Sequence, residues 1–467
     1  MLAALMATSL INTAPVLAGA KGTVVQASSN SNGNLTYATY VSNDMCKPDY
    51  WKKKLGSNAD KVLMTSKEIE ALNKKILQEK QTYMTDIEKM SDTYEANPKE
   101  REIPTQNYYI DGKLIDNNEY FGKINKAMVE TGYYGQTKTQ YAVVTERVDL
   151  KDWPTTDIVG YSADDTDDEL QSSAMNVNEP FVIRQKCEID GKTYYNGTTF
   201  NCSGWVDGDC IAICSSKEEW IDSWKVNPNS KDFIVLTQSR LTLEPSTYVP
   251  SISNVDIMLG TTLKLVPQKD MPVTVAERGT WNNYVVYLPT RNEKGNYVKQ
   301  KALIPQRADV SIGYLPLTQG NVLDVAFSCL GDRYGWGGML GAMDCSMYAV
   351  QIYRCFGINI PRNTSWQSKI PERSKLISNM SDEEKLKYFE TLPVGSLLMM
   401  QGHITVFVGM EAGRAYVISD SGTLADSEGD LTFIGQMSVI LNPLNVRRKS
   451  GNTWLSDMKY AIRFDGK

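Results

Sequence analysis

The spacing of apolar positions changes twice along the chain, and each change predicts a different kind of structure. Thr65-Ser66-Lys67-Glu68 is a capping-box pattern, and Ile69, Leu72, Ile76, Tyr83 and Ile87 follow at helical spacing until Asn97-Pro98 blocks continuation, which predicts one long helix. Over residues 139–214 the pattern shortens to β-branched and aromatic runs, such as Tyr141-Ala142-Val143-Val144 and Pro180-Phe181-Val182-Ile183, divided by Gly, Asp and Pro turns. This predicts a small barrel. A second such region runs from Phe233-Ile234-Val235-Leu236 through Leu263-Lys264-Leu265-Val266 and Tyr284-Val285-Val286-Tyr287 to about Pro305, with a linker around residues 227–230 between the two. From Thr318 the helical period returns, with Val322, Leu323, Ala326, Phe327 and Leu330 on one face. A further helix is predicted to begin at Cys345, capped by Asp344, and to end before Gly357, which suits a left-handed C-cap. Gly395-Ser396-Leu397-Leu398, residues 403–409 and residues 414–419 read as successive strands, so the last region is α+β.

The expected organisation is therefore multidomain. Residues 1–20 are a signal peptide, 21–36 a Ser/Asn/Gly-rich flexible lead-in, 37–138 a mostly helical domain, 139–226 and 231–310 two small all-β barrels, and 318–467 an α+β domain. A length of 467 residues fits several cores rather than one. The signal assignment rests on an uncharged apolar run closing on Ala18-Gly19-Ala20, a small-x-small cleavage pattern, and implies export to the periplasm, the medium or the cell wall. The first cysteine, Cys46, is too distant for a lipid anchor at that site.

Charge and composition narrow the function. With 49 basic and 55 acidic residues the chain has no positive field to attract nucleic acid or anionic lipid. No run after residue 20 approaches the roughly 20 apolar residues that a bilayer requires, so no membrane span is expected. Cys187, Cys202, Cys210 and Cys214 lack the paired spacing of structural zinc; two local disulfides are expected, with reduced buried thiols as the alternative, and no metal or cofactor is called for. The single histidine, His403, must serve any mechanism that needs an imidazole.

Cys345 at a helix start lies where unpaired N–H groups and the helix dipole favour a thiolate. His403 opens the alternating run His403-Ile404-Thr405-Val406-Phe407-Val408, from which its ring can enter a cleft while Ile404, Val406 and Val408 fill the opposite face. Together they suggest a thiolate–imidazolium dyad. The flanking motifs are Tyr334-Gly335-Trp336-Gly337-Gly338, Asp344-Cys345-Ser346, Ile360-Pro361-Arg362-Asn363-Thr364-Ser365-Trp366-Gln367, Leu392-Pro393-Val394-Gly395-Ser396-Leu397 and Gly402-His403-Ile404. In this order they resemble the NlpC-type cysteine peptidases of bacterial cell-wall metabolism, a papain-like family. Thr145-Glu146-Arg147-Val148-Asp149-Leu150, Trp153-Pro154, Leu170-Gln171 and Gly204-Trp205-Val206 resemble the bacterial SH3 domain of one branch, and the helical segment with Tyr50-Trp51 resembles that branch's N-terminal domain.

The resemblance implies a papain-like catalytic domain that cleaves the γ-D-glutamyl-diamino acid bond of peptidoglycan stem peptides or muropeptides, with a preference for a free N-terminal L-Ala. It further implies Cys345 as nucleophile, His403 as base, Tyr334 near the oxyanion, and Asp344 and Ser346 as holders of the L-Ala amine. Two positions depart from the family pattern. Met347 stands where a small residue is usual, and the third catalytic position falls at Ser419, or at Asp420 if the register is one residue off, neither of which is histidine. A catalytically impaired wall-binding protein, or an amidase or acyltransferase on the same fold, are the alternatives.

Overall fold

Thr65 caps its helix through reciprocal bonds: its side chain accepts from the Glu68 N–H, and the Glu68 side chain accepts from the Thr65 N–H, while Ile69, Leu72 and Ile76 are buried. The helix is shorter than the apolar spacing implies. It spans Ser66–Gln78 and stops at Glu79, whose backbone is extended. The Thr82 hydroxyl donates to the Ile76 and Glu79 carbonyls (2.8 and 2.6 Å), a side-chain bond that competes with helix propagation. Ile87 is buried but reaches the core from a separate 3-10 turn, Ile87–Lys89.

The computed structural model describes residues 28–29, 35–36, 41–425 and 434–466. The expected signal segment and most of the lead-in lie outside the described residues. The region expected to be mostly helical is mixed: helices Pro48–Leu55, Ser66–Gln78 and Asn117–Thr131 alternate with short strands. One of these strands, Thr93–Ala96, pairs with Gly135–Lys138, so a local sheet partner captures a stretch that the helical period had claimed.

Residues 140–213 form one antiparallel sheet of seven strands, in the order Gln171–Met175, Val148–Lys151, Ser203–Asp207, Lys192–Thr198, Pro180–Ile189, Gln140–Val144 and Ile211–Ile213. Its inward positions include Val144, Leu150, Met175, Phe181 and Val206, all essentially inaccessible. The expected disulfides are absent, and all eight cysteines are free. Cys187 packs in one core with Phe121 and Trp153, Cys214 in another with Trp220, and Cys202 and Cys210 against a third, so nearness in sequence does not bring these thiols together. The second β region combines a three-stranded sheet, Thr262–Lys264, Phe233–Leu236 and Val310–Ile312, with a long hairpin, Asn283–Arg291 and Tyr297–Pro305.

The C-terminal region is a six-stranded sheet ordered Ser374–Leu376, Tyr460–Ile462, Leu397–Met400, His403–Glu411, Arg414–Leu424 and Ile434–Pro443. The three strands read from sequence lie side by side in it. Its period-2 alternation sorts the two faces. Ile404, Val406, Val408, Tyr416 and Ile418 pack with the Cys345–Arg354 helix, while Phe407, Ala415 and Val417 pack with Phe389 and Trp454. Trp51, from the N-terminal helix Pro48–Leu55, joins the first of these cores, with its ring 5.4 Å from that of Tyr416. Gly409, at φ 140°, makes room for it, since a Cβ there would stand 3.2 Å from the indole. The N-terminal segment thus completes the core of the C-terminal sheet. Among the described residues no helix is long and apolar enough to cross a membrane.

Candidate active site

Asp344 caps the helix Cys345–Arg354, accepting from the Met347 N–H at 2.8 Å, and this puts Cys345 in the first turn. Cys345 is 8% exposed. It meets the backbone N–H of Ile404, the residue after His403, and the Thr364 hydroxyl. His403 is half-buried, its ring edge-on to Trp454 at 4.9 Å. Its Nε2 lies 3.1 Å from Ser419 Oγ. With Nε2–H donated to that hydroxyl, Nδ1 keeps the lone pair.

Ser419 and Asp420 point to opposite faces of the strand Arg414–Leu424. Ser419 meets the imidazole. Asp420 is fully buried, and neither of its carboxylate oxygens has a hydrogen-bond partner. Burial, with the Asp344 and Asp332 carboxylates, pushes the Asp420 carboxyl up to about 9, so it stays protonated at neutral pH.

The electrostatics differ from the ion pair that the helix-start position suggests. Burial, and then the Asp344 carboxylate, push the Cys345 thiol up to about 12, against the lowering effect of the Ile404 N–H and the Thr364 hydroxyl. Burial and the Arg448 cation push His403 down to about 3, with Asp344 pulling the other way. At rest the thiol and the imidazole are therefore each neutral, because desolvation penalises both charges. Alkylation of Cys345 by iodoacetamide should consequently rise about tenfold per pH unit from pH 6 to 9, following the thiolate fraction. The acidic limb of kcat/KM should lie below the usual imidazole value, because a depressed His403 remains a base at pH 5. Labelling that is flat across neutrality would show a resting ion pair instead.

Asp344 and Ser346 form part of a buried cluster centred on Arg362. The guanidinium donates to both Asp344 oxygens (3.0 and 2.6 Å), to Ser346 Oγ (2.7 Å) and, through Nε, to Ser173 Oγ (2.8 Å). Ser346 Oγ donates to Asp344 Oδ1 at 2.9 Å. Burial alone would raise Asp344, but Arg362, the Met347 N–H and the Ser346 hydroxyl outweigh it and hold the carboxyl below its ordinary value. Oδ1 thus carries three donors and Oδ2 one.

Tyr334 stands at the same cleft: burial raises its hydroxyl first, followed by Cys345, which counts once it has become a thiolate, and the Asp344 and Asp167 carboxylates. The seven-stranded sheet forms one wall, since Ser173 and Ala174 lie on its strand Gln171–Met175. Arg147 clamps this wall to the catalytic loop, donating to the carbonyls of Gly338 (3.0 Å) and Ala342 (2.5 Å). Gly338, at φ 92°, is required there, because a Cβ would come within 3.0 Å of Ala174 and Arg147. Met347 fills the remaining gap at 2% exposure, its sulfur 3.7 Å from the Arg147 guanidinium, so the departure after Asp344-Cys345-Ser346 serves packing between helix and sheet.

The sequence reading assigned no role to Arg362, Arg147 or Asp167. A lone arginine closing the apolar run Ile358-Asn359-Ile360-Pro361 is a signal for the first, since a cation among buried neighbours needs an anion such as Asp344. The other two come to the site from a distant part of the chain: Arg147 stands in the run 145–150, whose pattern assigns it no contact with the catalytic loop, and nothing local marks Asp167.

Comparison with known proteins gives a family and a fold. Residues 331–448 match the NlpC/P60 family. No curated protein matches the chain. Among solved structures, an NlpC/P60 endopeptidase from Photobacterium damselae subsp. piscicida is similar at TM-score 0.66 and 15% identity, over 88% of this chain and 95% of that one. An NlpC/P60 family protein from Bacillus cereus ATCC 10987 aligns at TM-score 0.44 and 15% identity, over 70% of this chain and 99% of that one. Residues 331–448 of this chain therefore constitute a domain of the NlpC/P60 family, a family of cell-wall peptidases.

Proposed function

We propose that the chain is an exported cysteine endopeptidase, periplasmic or wall-associated, that cleaves the γ-D-glutamyl-diamino acid bond of stem peptides with a free N-terminal L-Ala. In this reading residues 139–226 and 231–310 are bacterial SH3 domains and the first one walls off the end of the cleft. The observation that carries it is the alignment of a first-turn Cys345 beside the His403 strand, with the imidazole held by Ser419 at 3.1 Å. Cys345 Sγ attacks the γ-carbonyl of D-glutamate, and Nδ1 of His403 takes the thiol proton and passes it to the departing amine. First-turn N–H groups and the Tyr334 hydroxyl face the developing oxyanion. Water, activated by the same imidazole, then releases the acyl group.

The amine preference has an electrostatic basis. Asp344 Oδ2 has one donor and can take a second, and Asp167, from the loop before the Gln171–Met175 strand, keeps a buried unpartnered Oδ1. An ammonium at this end of the cleft gives Asp167 Oδ1 a donor and can add a second to Asp344 Oδ2, whereas an N-acylated end leaves the Asp167 oxygen unpartnered.

Incubation with defined muropeptides followed by mass analysis tests this. The expected product is free L-Ala-γ-D-Glu, formed from free stems and poorly from N-acetylated ones; Asp167→Asn should cut that discrimination about tenfold. Equal cleavage of both substrates by the unaltered protein would refute the preference, and release of a different fragment would refute the bond assignment.

Ser419→Ala should lower the maximal rate roughly tenfold, equivalent to about 1.4 kcal/mol, because an uncharged acceptor orients the ring without stabilising its cation. Asp420→Asn should leave the rate within about twofold. It should also stabilise the fold increasingly as pH rises above 4. The raised carboxyl keeps its proton in the folded state, while the unfolded chain loses it near 3.8, so the native state is penalised at higher pH. A loss of orders of magnitude in Asp420→Asn, with Ser419→Ala silent, would move the orienting role to Asp420.

A further inference from the structure

Tyr334 sits in a segment, residues 332–343, that leads directly into Asp344 and Cys345 and whose backbone is costly to hold. Gly337, Gly338, Leu340 and Gly341 all lie in the left-handed region, at φ 60°, 92°, 57° and 67°. Three of them are glycines, but Leu340 carries a side chain in a conformation that such residues rarely adopt. It is 56% exposed, so burial of its own side chain does not fix it there. Such a backbone persists only where its surroundings over-determine it.

The second β region supplies part of those surroundings. Ser239 and Arg240 are consecutive residues where the strand Arg240–Thr242 begins, and they grip opposite ends of the segment. The Ser239 hydroxyl donates to the Asp332 carboxylate, and Arg240 Nη2 donates to the Gly341 carbonyl. Arg240 is itself set in place. Its strand pairs with Asp256–Met258, and its Nη1 lies 3.7 Å from the Asp256 carboxylate, which also accepts from the Thr242 hydroxyl at 2.5 Å. A Cβ at Gly341 would stand 2.9 Å from Nη2, so the close approach requires glycine. The next carbonyl, Ala342, is the one held by Arg147. Two consecutive carbonyls ahead of the Asp344 cap are thus fixed by arginines from two different β regions.

Between these staples the segment is pinned at Tyr334. The Tyr334 N–H donates to the Met437 carbonyl at 2.9 Å, and the Gly335 N–H donates to the Met343 carbonyl at 2.7 Å. Phe233, Val235 and Leu259 of the second β region share a core with Tyr348 and Tyr353 of the catalytic helix, so the Ser239–Arg240 pair is mounted on a surface packed against that helix.

The geometry points to Arg240 as a positioning residue for the peptidase reaction: it holds the segment that presents the Tyr334 hydroxyl to the oxyanion, which makes the second β region part of the catalytic machinery rather than a separate module. This inference rests on the peptidase reading.

The test uses Arg240→Met, Arg240→Lys and Tyr334→Phe in the full chain, with stem-peptide hydrolysis and hydrogen exchange followed by mass spectrometry. Arg240→Met should lower kcat about tenfold and leave KM within about twofold, because the contacts that bind the ground state at Asp344 and Asp167 are untouched. Its melting temperature should hold: the Arg240 side chain is 42% exposed, and water can satisfy the Gly341 carbonyl but cannot tether it. Arg240→Lys keeps a donor for that carbonyl and should stay within about threefold of the parent. In a Tyr334→Phe background Arg240→Met should cost less than about twofold, since the group that it positions is already gone. Amides of residues 335–342 should exchange at least about tenfold faster in Arg240→Met, while the Cys345–Arg354 helix keeps its protection. An unchanged kcat, a full tenfold loss on top of Tyr334→Phe, or unchanged exchange of the segment would overturn the proposal. The exchange result needs no turnover, so a parent that cleaves no stem peptide would count against the peptidase reading, while exchange still decides whether Arg240 holds the Tyr334 segment.

Discussion

Cys345→Ala and His403→Ala should each reduce hydrolysis of stem peptides to background, a loss of at least about 10³-fold, with the circular dichroism spectrum and melting temperature retained. The thiol sits in the first turn of the Cys345–Arg354 helix and meets the Ile404 N–H of the His403 strand, and a small residue at that position leaves the Asp344 cap intact. His403 is the only imidazole in the chain, so none can substitute for it. The neutral resting state sharpens the expectation. Without His403 nothing accepts the proton of a thiol raised to about 12, and the thiolate fraction near neutrality becomes negligible. The double variant should lose no more than either single one, since the two groups act as a unit. Measurable turnover in either single variant would remove the mechanism.

Arg362→Met should destabilise the protein by about 3–5 kcal/mol, read as a lowered urea midpoint for the transition that the catalytic domain follows. The side chain is 4% exposed and supplies four hydrogen bonds, two of them to the carboxylate of Asp344. Its loss strands that carboxylate in a buried site. The sign of the pH dependence should reverse. In the parent, Asp344 sits below its ordinary value, so its contribution is present above about pH 4 and is lost as pH falls through the depressed folded value. In the variant, burial dominates and the carboxyl rises, so stability now declines as pH increases above 4. Adding Asp344→Asn to Arg362→Met should restore most of the loss, because no charge is then left unpaired. A shift under about 1 kcal/mol in Arg362→Met would mean that water already screens the pair.

The expected unit 318–467 is not closed by its own core, because Trp51 packs on Tyr416 and the strand Val62–Met64 pairs with Leu317–Thr318. A fragment starting at Thr318 would expose that face, so specificity is better tested by point changes at Asp167 than by truncation.

The sequence by itself determined what short-range physics controls. The Thr65–Glu68 box, the Asp344 cap, the start of the helix at Cys345 and the alternation that buries Ile404, Val406 and Val408 follow from local bonds and a fixed side-chain period. The motif order around Cys345 and His403 was legible for the same reason, since each motif is a turn or cap with its own residue requirements. What the tertiary structure decided are the quantities that depend on surroundings. The helix after Thr65 ends at Gln78 because Thr82 binds back to its carbonyls, although the apolar spacing runs on. All four clustered cysteines stay free: Cys187 and Cys214 pack into two separate cores, and Cys202 and Cys210 against a third. A first-turn cysteine and a strand-end histidine, favourable to an ion pair on local grounds, rest neutral because burial penalises both charges. The Arg362 cluster, the Arg147 clamp and the Ser239–Arg240 staple join residues far apart in the chain, and desolvation and long-range pairing of that kind are set by packing rather than by neighbours in sequence.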